Sequence, residues 1–176
     1  MGMMVVYRRA PRQPMGPLWL LIGANVILFV ATLFYGEAIY YLAFQPASLA
    51  YRPWTMISSM FVHGGFWHII ANMITLYFFG RNVLMLVGKS RFLAVYFIGG
   101  IVGNILFMLL SSPLALVVGA SGAVFALGGV LAVMRPKLRV LIFPIPVPLP
   151  LWGVVTGGFL VTLLVPGIAW QAHLGG

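Results

Sequence analysis

The 176-residue chain has no cysteine, a single acidic residue (Glu37) and only 6% charged residues. The missing thiols exclude disulfides, a thiolate nucleophile and Cys-ligated metal, although they do not assign a redox compartment. With Glu37 as its one carboxylate, the chain offers no evident acid to orient a catalytic base. So few charges cannot supply the polar surface that a soluble domain of this size requires.

Apolar sequence is what the chain has in abundance: 62% hydrophobic residues and a mean hydropathy of +1.10. Uncharged runs cover 13–36, 53–80, 92–134 and 140–176, each at least as long as the roughly 20 residues that cross a bilayer. Ser111-Ser112-Pro113 breaks the third run and Pro166-Gly167 the last, since proline removes a backbone donor and glycine loosens a helix. The expected fold is an all-α membrane protein with six hydrophobic segments, near 17–35, 66–87, 92–111, 121–134, 151–165 and 168–176. The first segment is of spanning length and lacks a small-residue cleavage site, so it is expected to be retained rather than removed as a signal peptide.

Charge sets the orientation. Arg8, Arg9 and Arg12 precede segment one, Arg81, Lys89 and Arg91 fall between two and three, and Arg135, Lys137 and Arg139 fall between four and five; Arg52 stands apart. If every segment crosses, nine of the ten basic residues share one side, which the positive-inside rule makes cytoplasmic together with the amino-terminal segment 1–16. The net charge of +9 is spread over short loops at a membrane face without aromatic interleaving, which fits contact with anionic lipid and not with nucleic acid. The outer connection 36–65 then carries Glu37, Tyr40, Tyr41, Tyr51 and Trp54, with Trp67 just beyond. That aromatic content suits a loop lying in the headgroup region and partly embedded.

Two polar groups fall inside this apolar frame. Segment four has 14 residues before Arg135, about 21 Å of helix against a hydrocarbon core of about 30 Å, so Ser121 is expected roughly 9 Å below the outer boundary. His173, just after Pro166-Gly167, begins a segment entering from the same face. A helix amino terminus presents free N–H groups and partial positive charge, which suit an oxyanion. Gly119 and Gly122 allow another backbone or a substrate to approach Ser121. A hydroxyl becomes a useful nucleophile when a base such as neutral imidazole takes its proton. His68 and Asn72, four residues apart, share one helix face and could donate to a carbonyl oxygen gaining charge. With no carboxylate at hand, serine catalysis would use a dyad.

Simpler roles compete. Ser121 between glycines could be a small-residue helix contact. The five-residue spacing of His63 and His68 suits zinc poorly, so neither metal nor cofactor is expected. His63 is expected to be a structural hydrogen-bonding residue, Asn25 and Asn104 to be interhelical donors, and Gly99-x-x-x-Gly103 and Gly153-x-x-x-Gly157 to be close helix contacts.

Together these residues resemble the rhomboid intramembrane serine proteases. Gly-x-Ser-Gly stands at Gly119–Gly122, Ala-His-x-x-Gly at Ala172–Gly176 and His-x-x-x-Asn at His68–Asn72, in the family's order, with similarity from about residue 17 onward. The resemblance implies a six-helix rhomboid-like membrane domain over 17–176, with Ser121 as nucleophile and His173 as general base. It implies an oxyanion hole from His68, Asn72 and the Ser121 backbone N–H, and Phe125 packed against the catalytic imidazole. Loop 36–65 is similar to the family's embedded first loop, and segment five to the helix proposed to gate lateral substrate access. Pro144, Pro146, Pro148 and Pro150 form a stiff lead-in to that helix.

One departure concerns segment six, which stops at Gly176 after nine residues. That is about 13 Å of helix, whereas the family's sixth helix continues with another small residue one turn further, so a truncated sixth helix is expected. The implied function is endoproteolysis of membrane-anchored proteins through an acyl-enzyme, by a monomer spanning a prokaryotic cell membrane several times. The alternative is a non-catalytic rhomboid-like protein that binds transmembrane clients.

Overall fold

The computed structural model describes residues 15–141 and 146–176; Arg8, Arg9, Arg12 and Pro144 lie outside them. The chain forms an all-α membrane bundle. Among the described residues, three helices are long and apolar enough to span a bilayer: α1 (Gly16–Phe34), α4 (Phe66–Val87) and α5 (Lys89–Leu110). Between the first two lie the short α2 (Ala38–Leu42) and α3 (Thr55–Ser58), followed by the apolar α6 (Ser121–Met134), α7 (Leu151–Leu164) and α8 (Trp170–Gly175).

Helix ends follow local chemistry. Pro17 sits at the start of α1, where its missing N–H costs nothing. α5 begins at Lys89, earlier than the apolar segment 92–111, because Lys and Arg are good helix formers whose charged ends reach out of the apolar zone. Arg139 and Val140 pair antiparallel with Pro150 and Leu149, a two-residue ladder closing the connection into α7.

α6 occupies the centre. Apolar on all sides, it buries Gly122, Ala123, Val124, Ala126, Leu127, Gly128 and Leu131, as a helix surrounded by others should. Leu18 and Leu21 of α1, Leu76 and Val83 of α4, and Phe92 and Tyr96 of α5 complete the core. Lipid tails are as apolar as leucine, so this core is held by close packing more than by escape from water. α7 is peripheral and buries just Leu151 and Thr162, with Leu164 82% exposed.

The 36–65 connection folds back on itself. Arg52 donates to the Tyr40 carbonyl at 2.6 Å, the Trp54 indole to Tyr41 at 3.0 Å and the Ser58 hydroxyl to Leu42 at 2.8 Å. Phe44 and Val117 exchange backbone hydrogen bonds of 3.0 and 2.9 Å, which join this loop to the segment leading into α6.

Asn25 donates within its own helix, to Leu21 at 2.7 Å; a carboxamide can satisfy itself on the preceding turn. Asn104 is the interhelical donor its position predicts, reaching from α5 to the Met56 carbonyl of α3 at 2.9 Å and to the Ser59 hydroxyl at 3.0 Å. Gly99 does lie against Ala126, but a Cβ on Gly157 would meet nothing within 4 Å. The Gly153/Gly157 pair is therefore no close contact, because α7 sits at the edge of the bundle.

Candidate active site

Ser121 is the first residue of α6, so its backbone N–H has no acceptor within the helix. His173 lies on α8 and is buried. Its Nε2 is 2.7 Å from the Ser121 hydroxyl oxygen, a side-chain hydrogen bond across 52 residues of sequence. His173 Nδ1 is buried without a partner among the described residues, in keeping with a chain whose one carboxylate, Glu37, lies in the 36–65 connection. The Phe125 ring, one turn beyond Ser121, stacks on the imidazole with centroids 4.7 Å apart and planes at 26°.

His68 and Asn72 enter from α4. Both line, with Ser121 and His173, a cavity of about 660 Å³ bounded by the loop residues Gly64, Gly65, Val117, Val118, Gly167 and Ile168. The Asn72 side-chain nitrogen donates to the His68 carbonyl at 2.9 Å, which leaves its second hydrogen for another acceptor. Gly119 has φ +125°, and a Cβ there would lie 2.8 Å from His68 Nε2. Only glycine provides both the backbone angle and the space. Gly122 admits another backbone: a Cβ on it would lie 3.0 Å from the Ala172 carbonyl oxygen.

A second cavity, of about 280 Å³, meets the first at Ala71, Asn72 and Ser121 and runs between α4, α6 and α7. Thr75 and Phe79 of α4 face Val154, Val155 and Gly158 of α7 across it. Sequence reasoning passed over these lining residues, although Thr75 and Phe79 continue the helical spacing of His68 and Asn72 (68, 72, 75, 79) and so share their face. Ser121 thus stands where a loop-bounded cavity joins an apolar one. Chemically, a hydroxyl in hydrogen-bond contact with an imidazole can pass its proton and attack an electrophilic carbon.

His63 is buried at the end of the loop, beside the Phe61 backbone, and its ring stands edge-on to His68 with centroids 5.1 Å apart. Burial, with the nearby His68 adding to it, pushes the His63 imidazole down to about 4.

Residues 50–176 match the family described as "Rhomboid domain". The chain belongs to the rhomboid family. It is 35% identical over 124 residues to Rhomboid protein 1, mitochondrial, of Saccharomyces cerevisiae, covering 67% of this chain and 33% of that protein. It is 42% identical over 78 residues to YdcA of Bacillus subtilis, covering 44% of this chain and 39% of that one. With Presenilin-associated rhomboid-like protein A, mitochondrial, of Danio rerio it shares 30% identity over 149 residues, 77% of this chain and 38% of the relative. The chain therefore spans about a third to two fifths of the length of these curated relatives. Bacterial and eukaryotic mitochondrial proteins stand side by side among them, so membership of the family carries an integral membrane location and not the expected prokaryotic one.

Proposed function

We propose that this chain is the membrane domain of an intramembrane serine endopeptidase that cleaves membrane-anchored proteins. The observation that carries this reading is the 2.7 Å contact between His173 Nε2 and the Ser121 hydroxyl, made in a site that two cavities reach. The Ser121 oxygen attacks the scissile carbonyl carbon while His173 Nε2 takes its proton. The resulting oxyanion accepts hydrogen bonds from the Ser121 N–H and from the His68 and Asn72 side chains, donors already oriented before charge appears. His173 then gives its proton to the leaving amine, and the acyl group remains as an ester on Ser121. Water, deprotonated by His173, attacks that ester, and His173 returns the proton to the departing Ser121 oxygen as the acid product leaves. With no carboxylate behind it, His173 is oriented by the Phe125 stack and by its place on α8.

The orientation proposed puts the amino terminus in the cytoplasm and the site beneath the outer boundary, with water arriving through the loop-bounded cavity. The substrate segment comes from the lipid between α4 and α7, where α7 buries little of itself. The working unit is a monomer.

A serine-reactive fluorophosphonate tests the chemistry directly. The detergent-solubilised parent should label, and Ser121→Ala and His173→Ala should not. Equal labelling of the parent and Ser121→Ala would remove the nucleophile assignment, and a silent, folded parent would favour client binding without catalysis.

A further inference from the structure

Ser121 and His173 sit on different helices, and their contact requires both helices to be placed to within a few tenths of an ångström. Two consecutive residues of α5 take part in these placements. At Gly103 a Cβ would lie 2.6 Å from the Ala172 carbonyl oxygen, so the bare backbone there lets α8 settle beside α5, immediately before His173. Asn104 follows. It is buried, and its side-chain nitrogen donates to the Met56 carbonyl at 2.9 Å and to the Ser59 hydroxyl at 3.0 Å, which engages both amide hydrogens. Ser59 in turn accepts on its carbonyl the N–H of Gly119 at 2.9 Å, two residues before Ser121. Gly119 is the residue whose positive φ and contact with His68 shape the turn into α6.

We propose that Asn104, acting through Ser59, is a positioning residue for the serine chemistry: it braces the outer loop against α5 and so holds the Gly119 turn, and with it Ser121 and His68, in register with His173. The inference rests on the reading of Ser121 and His173 as nucleophile and base. Neither Asn104 nor Ser59 lines the two cavities that meet at Ser121, so any effect they have on turnover passes through the Gly119 turn. Burial makes the brace stiff, because a buried carboxamide that loses its acceptors has no water to replace them.

The test uses the full chain in detergent micelles with a cleavable transmembrane peptide, fluorophosphonate labelling, and hydrogen exchange at the Gly119 amide. Asn104→Ala removes the brace. Ser59→Ala removes one acceptor and leaves the Asn104 bond to Met56, which guards against a variant that fails to fold. The expected result is a kcat lower on the order of ten- to a hundredfold with KM within about twofold, since misplacement by a fraction of an ångström acts on the reacting geometry. Exchange at Gly119 should be about fivefold faster. Unchanged kcat and unchanged exchange in both variants would overturn the proposal. If the folded parent does not label, the protease reading falls, and exchange alone then decides: faster exchange at Gly119 in Ser59→Ala supports the brace, and unchanged exchange rejects it.

Discussion

Phe125 and His173 lie face to face, their ring centroids 4.7 Å apart, although one belongs to the helix that Ser121 opens and the other to α8. The stack restrains the imidazole, whose Nδ1 has no carboxylate or other partner among the described residues. An aromatic pair of this kind contributes about 0.5–1.5 kcal/mol beyond its buried area. Phe125→Leu is therefore expected to slow fluorophosphonate labelling of Ser121 by roughly tenfold while the protein stays folded. A labelling rate equal to the parent's would show that the ring does not restrain the base.

Gly119→Ala should be more damaging. A left-handed backbone costs an L-residue about 1–2 kcal/mol, and the new methyl group would press on His68 Nε2 from 2.8 Å. If His68 is an oxyanion donor, displacing it should reduce kcat on the order of a hundredfold. The check is peptide turnover by variant protein whose helical circular dichroism matches the parent's.

The cavity between α4 and α7 is expected to serve long substrates and to be dispensable for small ones. Thr75→Phe or Gly158→Phe would fill it from opposite sides, and a Cβ at Gly158 meets nothing within 4 Å. Cleavage of a transmembrane substrate should fall by about tenfold or more, as loss of a bound side chain does, with fluorophosphonate labelling near the parent rate. Equal loss in both assays would point to a distorted site.

His63, in the loop ahead of α4, gives a pH signature in stability. Its imidazole is held at about 4 when folded against an ordinary value of 6.5, so between those values the unfolded chain binds the extra proton. Stability should therefore rise with pH through that window and be lost as pH falls from about 6.5 to about 4. In His63→Phe, which keeps a ring against His68, the thermal midpoint should change less steeply over the same range. Parallel profiles for parent and variant would show that His63 does not titrate on unfolding.

What could be read directly from the residues is instructive. Long apolar runs announce membrane helices because lipid leaves the backbone no partner except itself. Ser111-Ser112-Pro113 and Pro166-Gly167 mark breaks because proline and glycine act locally. The serine and histidine motifs stood out because polar residues are scarce in such sequence. Asn104 and Ser59 were not legible as partners, since a hydrogen bond spanning 45 residues has no local signature. Gly153 and Gly157 misled for the opposite reason: small-residue spacing describes what a helix can pack against, and it says nothing about whether a neighbour is there.

The sequence by itself determined that this protein lives in a membrane, that its helices must be satisfied within themselves, and which few side chains could do chemistry, because composition and local backbone preference depend on near neighbours. Only the tertiary structure decided that Ser121 and His173 meet at 2.7 Å, that Phe125 covers the imidazole, and that α7 stands apart from the core. Those facts depend on how helices distant along the chain pack, and packing is settled by shape and by single hydrogen bonds in space.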